Sequence, residues 1–308
     1  MARPKHRVGA LGHIGKISNS MGFMCAGRQS RLSFAATLGV FQQIETLSMR
    51  YRSILVVAAA LLTCIGNTFA QPSELSEAYN KQVVQRLEIP SEEAQRYAAL
   101  AAEQLRRADI SLTFSQYVAV VDRSPQVQAI LVYWFPLGDV PQLIGASPAS
   151  TGRVGQFDHF ETPLGVFDHS LSNPDFRAEG TKNELGFRGY GAKGMRVYDL
   201  GWQQAKRGWG TGADSSMRLQ MHSTDPDLAE SKLGTVQSKG CIRIPATLNR
   251  FLDHFGVLDA GYAAAAATNG RSPWVLLPDR KPVVEAGRYL IIVDSERDSR
   301  PDWSPKPE

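Results

Sequence analysis

Two stretches decide how this chain reads: Leu219-Gln220-Met221-His222-Ser223 and, fourteen residues later, Ser238-Lys239-Gly240-Cys241-Ile242-Arg243. The first reads as an apolar strand that ends on His222 and so sets the imidazole at a sheet edge. A cysteine nucleophile needs a base to make its thiolate and a group to orient that base. It also needs N–H donors for the oxyanion formed in acyl transfer. These residues hold a candidate for each part. Gly240 lets the backbone turn tightly before Cys241 and leaves amides free to point at a bound carbonyl. A helix expected over 246–255, with Leu248, Phe251, Leu252 and Phe255 on one face and Gly256 at its C-cap, begins shortly after Cys241. Its N-terminal end favours a thiolate.

Cysteine usage bears on the same residue. The chain of 308 residues has three cysteines, Cys25, Cys64 and Cys241. Met49-Arg50-Tyr51-Arg52 is a short basic segment, followed by the apolar run Ile54–Ile65 and by Thr68 and Ala70 as small residues of a cleavage site. That order is the pattern of a secretory signal peptide over 49–70, ending at Ala70. The run is too short for a permanent membrane span, though a buried core helix has a similar composition. Residues 1–48 read as an over-extended start or a pre-region. Cleavage after Ala70 leaves Cys241 as the one thiol, which excludes an internal disulfide in the exported protein. A lone thiol is either a small buried apolar side chain or a reactive group kept for chemistry. The flanking residues favour the second.

Charge removes one function class. Eight of the 34 Lys/Arg and one of the 30 Asp/Glu fall in residues 1–70, leaving 26 basic against 29 acidic residues in 71–308. The basic excess belongs to the leader, so no nucleic-acid partner is expected. The 43% hydrophobic content suffices for one core.

Along the exported part, spacing predicts two amphipathic helices, roughly 73–88 and 92–108, with Ser91 as a cap for the second and Glu92 and Glu93 at its positive end. From Phe114 the composition turns to β-branched and aromatic residues. Gln116–Arg123, Ala129–Phe135 and Pro141–Ala146 form a meander. Further strands are expected at Gly165–His169, Arg196–Leu200, Arg218–His222, Trp274–Leu277 and Tyr289–Asp294. The Gly-rich, charged stretch 171–216 reads as a functional loop or lid. The tail from Ser295 is expected to be loose.

The order His, about nineteen residues, then Ser-x-Gly-Cys-x-Arg resembles the L,D-transpeptidases, the YkuD-type catalytic domain. Ser150-Thr151-Gly152 and Glu161-Thr162-Pro163-Leu164-Gly165-Val166-Phe167 are similar to that family's STG…TPxGxF segment. The resemblance covers roughly 114–297. It implies a mainly β fold, a mixed β-sandwich or barrel-like catalytic domain over 113–297, after a small helical segment at 71–112 and before a flexible tail at 298–308. It implies Cys241 as nucleophile and His222 as general base. The carbonyl of Ser223 would hold the imidazole tautomer, and the amides of Gly240 and Cys241 would form the oxyanion hole. Arg243 would support the site and meet a substrate carboxylate, and Ser238 would act in local hydrogen bonding. Lys239 stands where many members have a second His, a departure that puts any role of that His in doubt; on the substrate side of the site a lysine can lower the pKa of a nearby thiol, or it is a solvated surface charge. The implied substrate is a peptidoglycan stem peptide, with a neighbouring stem, water or a wall protein as acyl acceptor. Carbapenems are the implied covalent inhibitors, the implied location is the periplasm or cell wall, and no cofactor is needed.

Papain-like peptidases place Cys before His, and sortases carry a Thr-Cys pair with a more distant Arg; neither fits. A non-catalytic wall-binding module remains the alternative from another class. His159 and His169, each beside an Asp, lack a zinc-ligand spacing, so no metal is expected. His254 reads as a surface residue. Trp202, Trp209 and Tyr190 are candidates for a lid, although ordinary packing also accounts for them.

Overall fold

The computed structural model describes residues 72–269 and 273–306. The expectations for residues 1–70 lie outside the described residues. Fourteen elements follow one another: helices α1 (Pro72–Gln82) and α2 (Ser91–Arg107), then strands β1 (Gln116–Asp122), β2 (Ala129–Phe135), β3 (Gln142–Pro148), β4 (Gly165–Asp168), β5 (Phe176–Arg177), β6 (Arg196–Lys206) and β7 (Asp214–Ser223). A 3-10 turn (Glu230–Lys232), β8 (Ile242–Ile244), helices α3 (Ala246–Phe255) and α4 (Ala260–Asn269), and β9 (Tyr289–Val293) complete the order. The fold is mainly β, with two mixed sheets. One runs β3-β2-β1-β9-β4 and the other β5-β6-β7-β8.

β1 and β2 are buried at every position. Their runs QYVAVVD and AILVYWF are therefore near-continuously apolar rather than alternating, because both faces of the first sheet are covered. One face, with Ala119, Val121, Ile130, Val132 and Ile292, meets Leu219, Met221, Ile242 and Ile244 of the second sheet and the apolar stripe of α3. The other, with Val118, Val120, Leu131 and Ile291, meets Tyr97, Ala98, Ala101 and Leu105 of α2. Asp122 fastens this second layer. Its buried carboxylate accepts from Tyr97 Oη at 2.6 Å and from the amides of Ser124 and Ser295.

The structure departs from expectation at several places. α1 stops at Gln82 rather than 88, because the following backbone has other partners: Val84 N–H donates to Thr247 and Leu87 N–H to the Ala146 carbonyl. Ser91 does not cap α2, where Pro90 stands at the N-cap without a side-chain bond. Gly256 does close α3, in the left-handed conformation at φ 54°. Trp274–Leu277 is a turn, with Leu276 N–H bonded to the Pro273 carbonyl. β6 runs on to Lys206, through a register shift between Asp199 and Trp202, where Gly201 takes φ 78°. This bulge interrupts the alternation that would have revealed the strand. Beyond the expected Arg196–Leu200 strand, the 171–216 stretch therefore also holds β5, the rest of β6 and the start of β7.

The tail is docked rather than loose. Trp303 packs edge-on against Tyr97 at 5.8 Å, Arg297 pairs with Glu93, and Arg300 donates to the carbonyls of Pro125, Gly234 and Pro305. Trp303→Ala is expected to lower stability by about 1–3 kcal/mol through lost aromatic burial. Urea unfolding checks this, and an unchanged midpoint would show that the tail contributes nothing.

Candidate active site

β7 and β8 pair in parallel, with Met221 opposite Ile242, His222 opposite Arg243 and Ser223 opposite Ile244. Leu219, Met221, Ile242 and Ile244 point into the core. Alternation then directs Gln220, His222, Cys241 and Arg243 to the opposite face. Strand spacing and rise put the Cα atoms of His222 and Cys241 about 8 Å apart, within reach of two side chains facing each other. The sequence-expected base and nucleophile thus share one face of one sheet, with Arg243 beside them.

Each group is held by identifiable partners. His222 Nδ1 lies 2.8 Å from the Ser223 carbonyl. A carbonyl only accepts, so Nδ1 carries the proton and Nε2 presents its lone pair. This is the role expected of Ser223. Tyr190 packs edge-on against the imidazole at 4.8 Å, and its hydroxyl donates to Gln220 Oε1 at 3.0 Å. Gln220 Nε2 in turn donates to the buried carboxylate of Asp199, which also takes Arg218 Nε at 2.8 Å. The segment carrying Tyr190 is tied down on both sides. The Arg188 amide donates to Asp225 at 2.7 Å, and Gly191 at φ 82° lies so close to Ser223 that a Cβ would sit 2.7 Å from its hydroxyl. Tyr190 therefore packs directly on the imidazole. Trp209 instead packs against Phe157 and Phe160, and Trp202 is exposed above Arg218. Gln220 and Asp199 escaped the sequence reading. The signal for Gln220 was there, two positions before His222 on the same strand face.

The turn before Cys241 is braced from two directions. Ser238 Oγ accepts from the Gly240 amide at 3.0 Å and donates to the Cys241 carbonyl at 2.5 Å. Thr162 Oγ1 accepts from the Gly152 amide at 2.8 Å and donates to the Gly240 carbonyl at 2.7 Å. Ser150 exchanges both backbone hydrogen bonds with Arg243, so the 150–152 segment lines the outer edge of β8. A Cβ on Gly152 would come within 1.9 Å of the Phe160 carbonyl oxygen, and Gly240 sits at φ 128°. Both positions require glycine.

Two expectations need correcting. The Gly240 amide is bonded to Ser238 and is not free for an oxyanion, because the serine side chain folds back inside the turn. The N-terminal end of α3 does not serve Cys241 either, since the Glu230 carboxylate occupies it, accepting from the Ala246 amide at 2.5 Å. Ser238 acts within the turn, as expected of a local hydrogen-bonding residue. Lys239 is exposed and pairs with Asp158 at 2.6 Å. Arg243 forms no ion pair among the described residues, and its Nε is buried without a partner; the guanidinium stands 5.5 Å from the Phe187 ring.

Burial sets the proton balance. It pushes the Cys241 thiol up, against the smaller opposing effects of the Gln220 amide and Arg243. It pushes His222 down from 6.5 to about 4, helped by Arg243 and opposed by the Ser223 carbonyl. The resting pair is therefore a neutral thiol and a neutral imidazole, suited to general-base activation during attack rather than to a standing thiolate. His169 is of another kind. Burial would lower its pKa, but the Asp175 carboxylate outweighs this and raises it. Its Nδ1 meets the Leu258 carbonyl at 2.8 Å and its Nε2 meets Asp175 at 2.9 Å, so both nitrogens donate and neither is open to a metal. His159 Nδ1 lies 2.9 Å from the Phe157 carbonyl, and His254 stacks edge-on with Phe255.

No protein-family model and no curated protein matches this sequence. Among solved structures, the chain is similar to the helical cell shape determining protein Pgp2 from Campylobacter jejuni, at 13% identity and a TM-score of 0.32, covering 64% of this chain and 56% of that one. A point mutant of the same protein gives 12% identity and a TM-score of 0.28, covering 74% and 56%. The chain thus spans little more than half the length of the protein it matches, and the similarity is too slight to assign a family.

Two outcomes are expected from these proton balances. Below pH 6.5 the unfolded chain takes up a proton at His222 before the folded one does, so stability is full above 6.5 and falls toward pH 4, by about 3 kcal/mol. His222→Gln should flatten urea midpoints over that window, and an unchanged slope would contradict the assignment. The raised His169 acts oppositely, stabilising most at low pH and least as pH rises, so it cannot mimic the effect. Alkylation of Cys241 by iodoacetamide should climb only above the ordinary thiol range of about 8.5. A midpoint below it would indicate a standing thiolate.

Proposed function

We propose that this protein is a cysteine acyltransferase of the L,D-transpeptidase type, exported to act on peptidoglycan stem peptides. The observation that carries this reading is the His222 imidazole, oriented by the Ser223 carbonyl, on the same strand face as Cys241 and Arg243. The match of Ser238-Lys239-Gly240-Cys241-Ile242-Arg243 to the Ser-x-Gly-Cys-x-Arg pattern supports it, as does the brace from Gly152 and Thr162.

The chemistry follows from the resting protonation. As Sγ attacks the carbonyl of the third stem residue, its proton passes to His222 Nε2. The Cys241 amide supplies a donor for the oxyanion, since the Gly240 amide is engaged. Collapse breaks the amide bond, and His222 returns the proton to the departing amine of the terminal D-alanine. This leaves a thioester on Cys241. A neighbouring stem amine, deprotonated by His222, then attacks the thioester and releases the thiol, giving a 3→3 cross-link. Water in the same step gives carboxypeptidase action, and a protein lysine gives wall anchoring. In this reading the Arg243 guanidinium, which forms no ion pair among the described residues, receives a carboxylate of the stem peptide.

Incubation with purified disaccharide-tetrapeptide, followed by mass spectrometry, tests the proposal. Cross-linked dimer or tripeptide is expected, with loss of at least about 10³-fold in rate for Cys241→Ala or His222→Ala. Unchanged tetrapeptide with a folded protein would overturn it and favour a non-catalytic wall-binding module. Intact-mass measurement should also show a carbapenem adduct on the native chain and none on Cys241→Ala.

A further inference from the structure

A cavity of about 370 Å³ opens beside α3, and none of its lining residues belongs to the cysteine centre. Arg177 from β5, Lys193 and Met195 ahead of β6, Arg250 from α3, and Leu277 and Arg280 from the chain after α4 form its walls. That size is in the range of small-molecule sites.

The charges around it are unbalanced. Four cations, Arg177, Lys193, Arg250 and Arg280, face two carboxylates, Asp253 and Asp279, with the His254 ring at the rim. Arg177 is committed as a fork to Asp253, at 2.8 and 3.1 Å. Arg280 is paired with Asp259, and Arg250 lies near enough to Glu230 to favour its charged form. Lys193 and Arg250 form no ion pair among the described residues. The Arg280 side chain is only 9% exposed, yet its one hydrogen bond among them goes to Asp259, at 2.6 Å. A guanidinium has five N–H groups, so the Arg280 head retains donors beyond its ion pair with Asp259. Met195 and Leu277 add apolar wall to the same space.

We propose that this cavity is a binding site for a small anion, a phosphate or carboxylate group carried on a partly apolar molecule. Arg280 is the buried anchor, Lys193 and Arg250 close over the anion from the exposed side, and Met195 with Leu277 take the apolar part. The site stands whether or not Cys241 is catalytic, so its test is independent of acyl transfer.

The test is calorimetric titration of the full chain with inorganic phosphate, acetate and butyrate at constant ionic strength. Saturable binding is expected, with butyrate tighter than acetate because of the apolar wall. A preference for phosphate over butyrate would identify a phosphorylated ligand, and the reverse a carboxylate. Lys193→Ala/Arg250→Ala removes two exposed side chains, so the fold should persist while affinity falls about tenfold or more. Lys193→Arg should keep it. Absence of saturable binding at millimolar anion, or equal affinity in the double variant, would overturn the proposal.

Discussion

The parallel pairing of β7 with β8 is the constraint on which the site depends. A one-residue slip of β8 against β7 would turn Cys241 and Arg243 into the core and lift Ile242 and Ile244 out of it, parting the cysteine from His222. The core on one face therefore fixes the chemistry on the other. The same pairing explains the spacing along the chain. Parallel neighbours cannot be joined by a tight turn and need a crossover of a dozen or more residues. The interval between His222 and Cys241 is that crossover, and it includes the 3-10 turn whose Glu230 reaches the start of α3. A spacing that looks like a catalytic signature is thus also a topological requirement.

Behind the site lies a buried charge cluster that ties loops to strands. Arg196 is fully buried and donates to Asp175, Asp253 and Asp259, with the Tyr198 and Tyr262 rings at 4.8 and 4.9 Å. Asp175 also holds His169 and the Asp199 amide. Asp199 then fixes Gln220 and Arg218 on the site face. Buried ion pairs give little net stability against apolar replacements of the same shape, but losing one partner strands the rest. Asp175 is therefore a point where damage outside the site would loosen it.

Much of this was legible from sequence, for physical reasons that differ by element. β1 and β2 were visible because burial on both faces makes their apolar runs continuous. α2 and α3 showed clean helical stripes. The second half of β6 was hidden by the Gly201 bulge, and the end of α1 was set by Thr247 and Ala146, residues far along the chain. In the site, Cys241, His222 and Ser223 could be singled out because the pattern that marks them lies in near neighbours. The engaged Gly240 amide was not, because it depends on which way the Ser238 hydroxyl turns. The Tyr190–Gln220–Asp199 chain links residues tens of positions apart, which local pattern cannot connect.

The neutral resting thiol has a consequence for the lifetime of the protein. Thiolates, not thiols, attack peroxides and disulfides, so the oxidation ladder begins once the sulfur is charged. Burial that raises the Cys241 pKa, together with an imidazole too weakly basic to hold its proton at rest, keeps the sulfur in its inert form. In the proposed acyl transfer, the sulfur is activated only when an electrophilic carbonyl is seated against it. The shelter that costs Cys241 standing reactivity also gives it chemical durability.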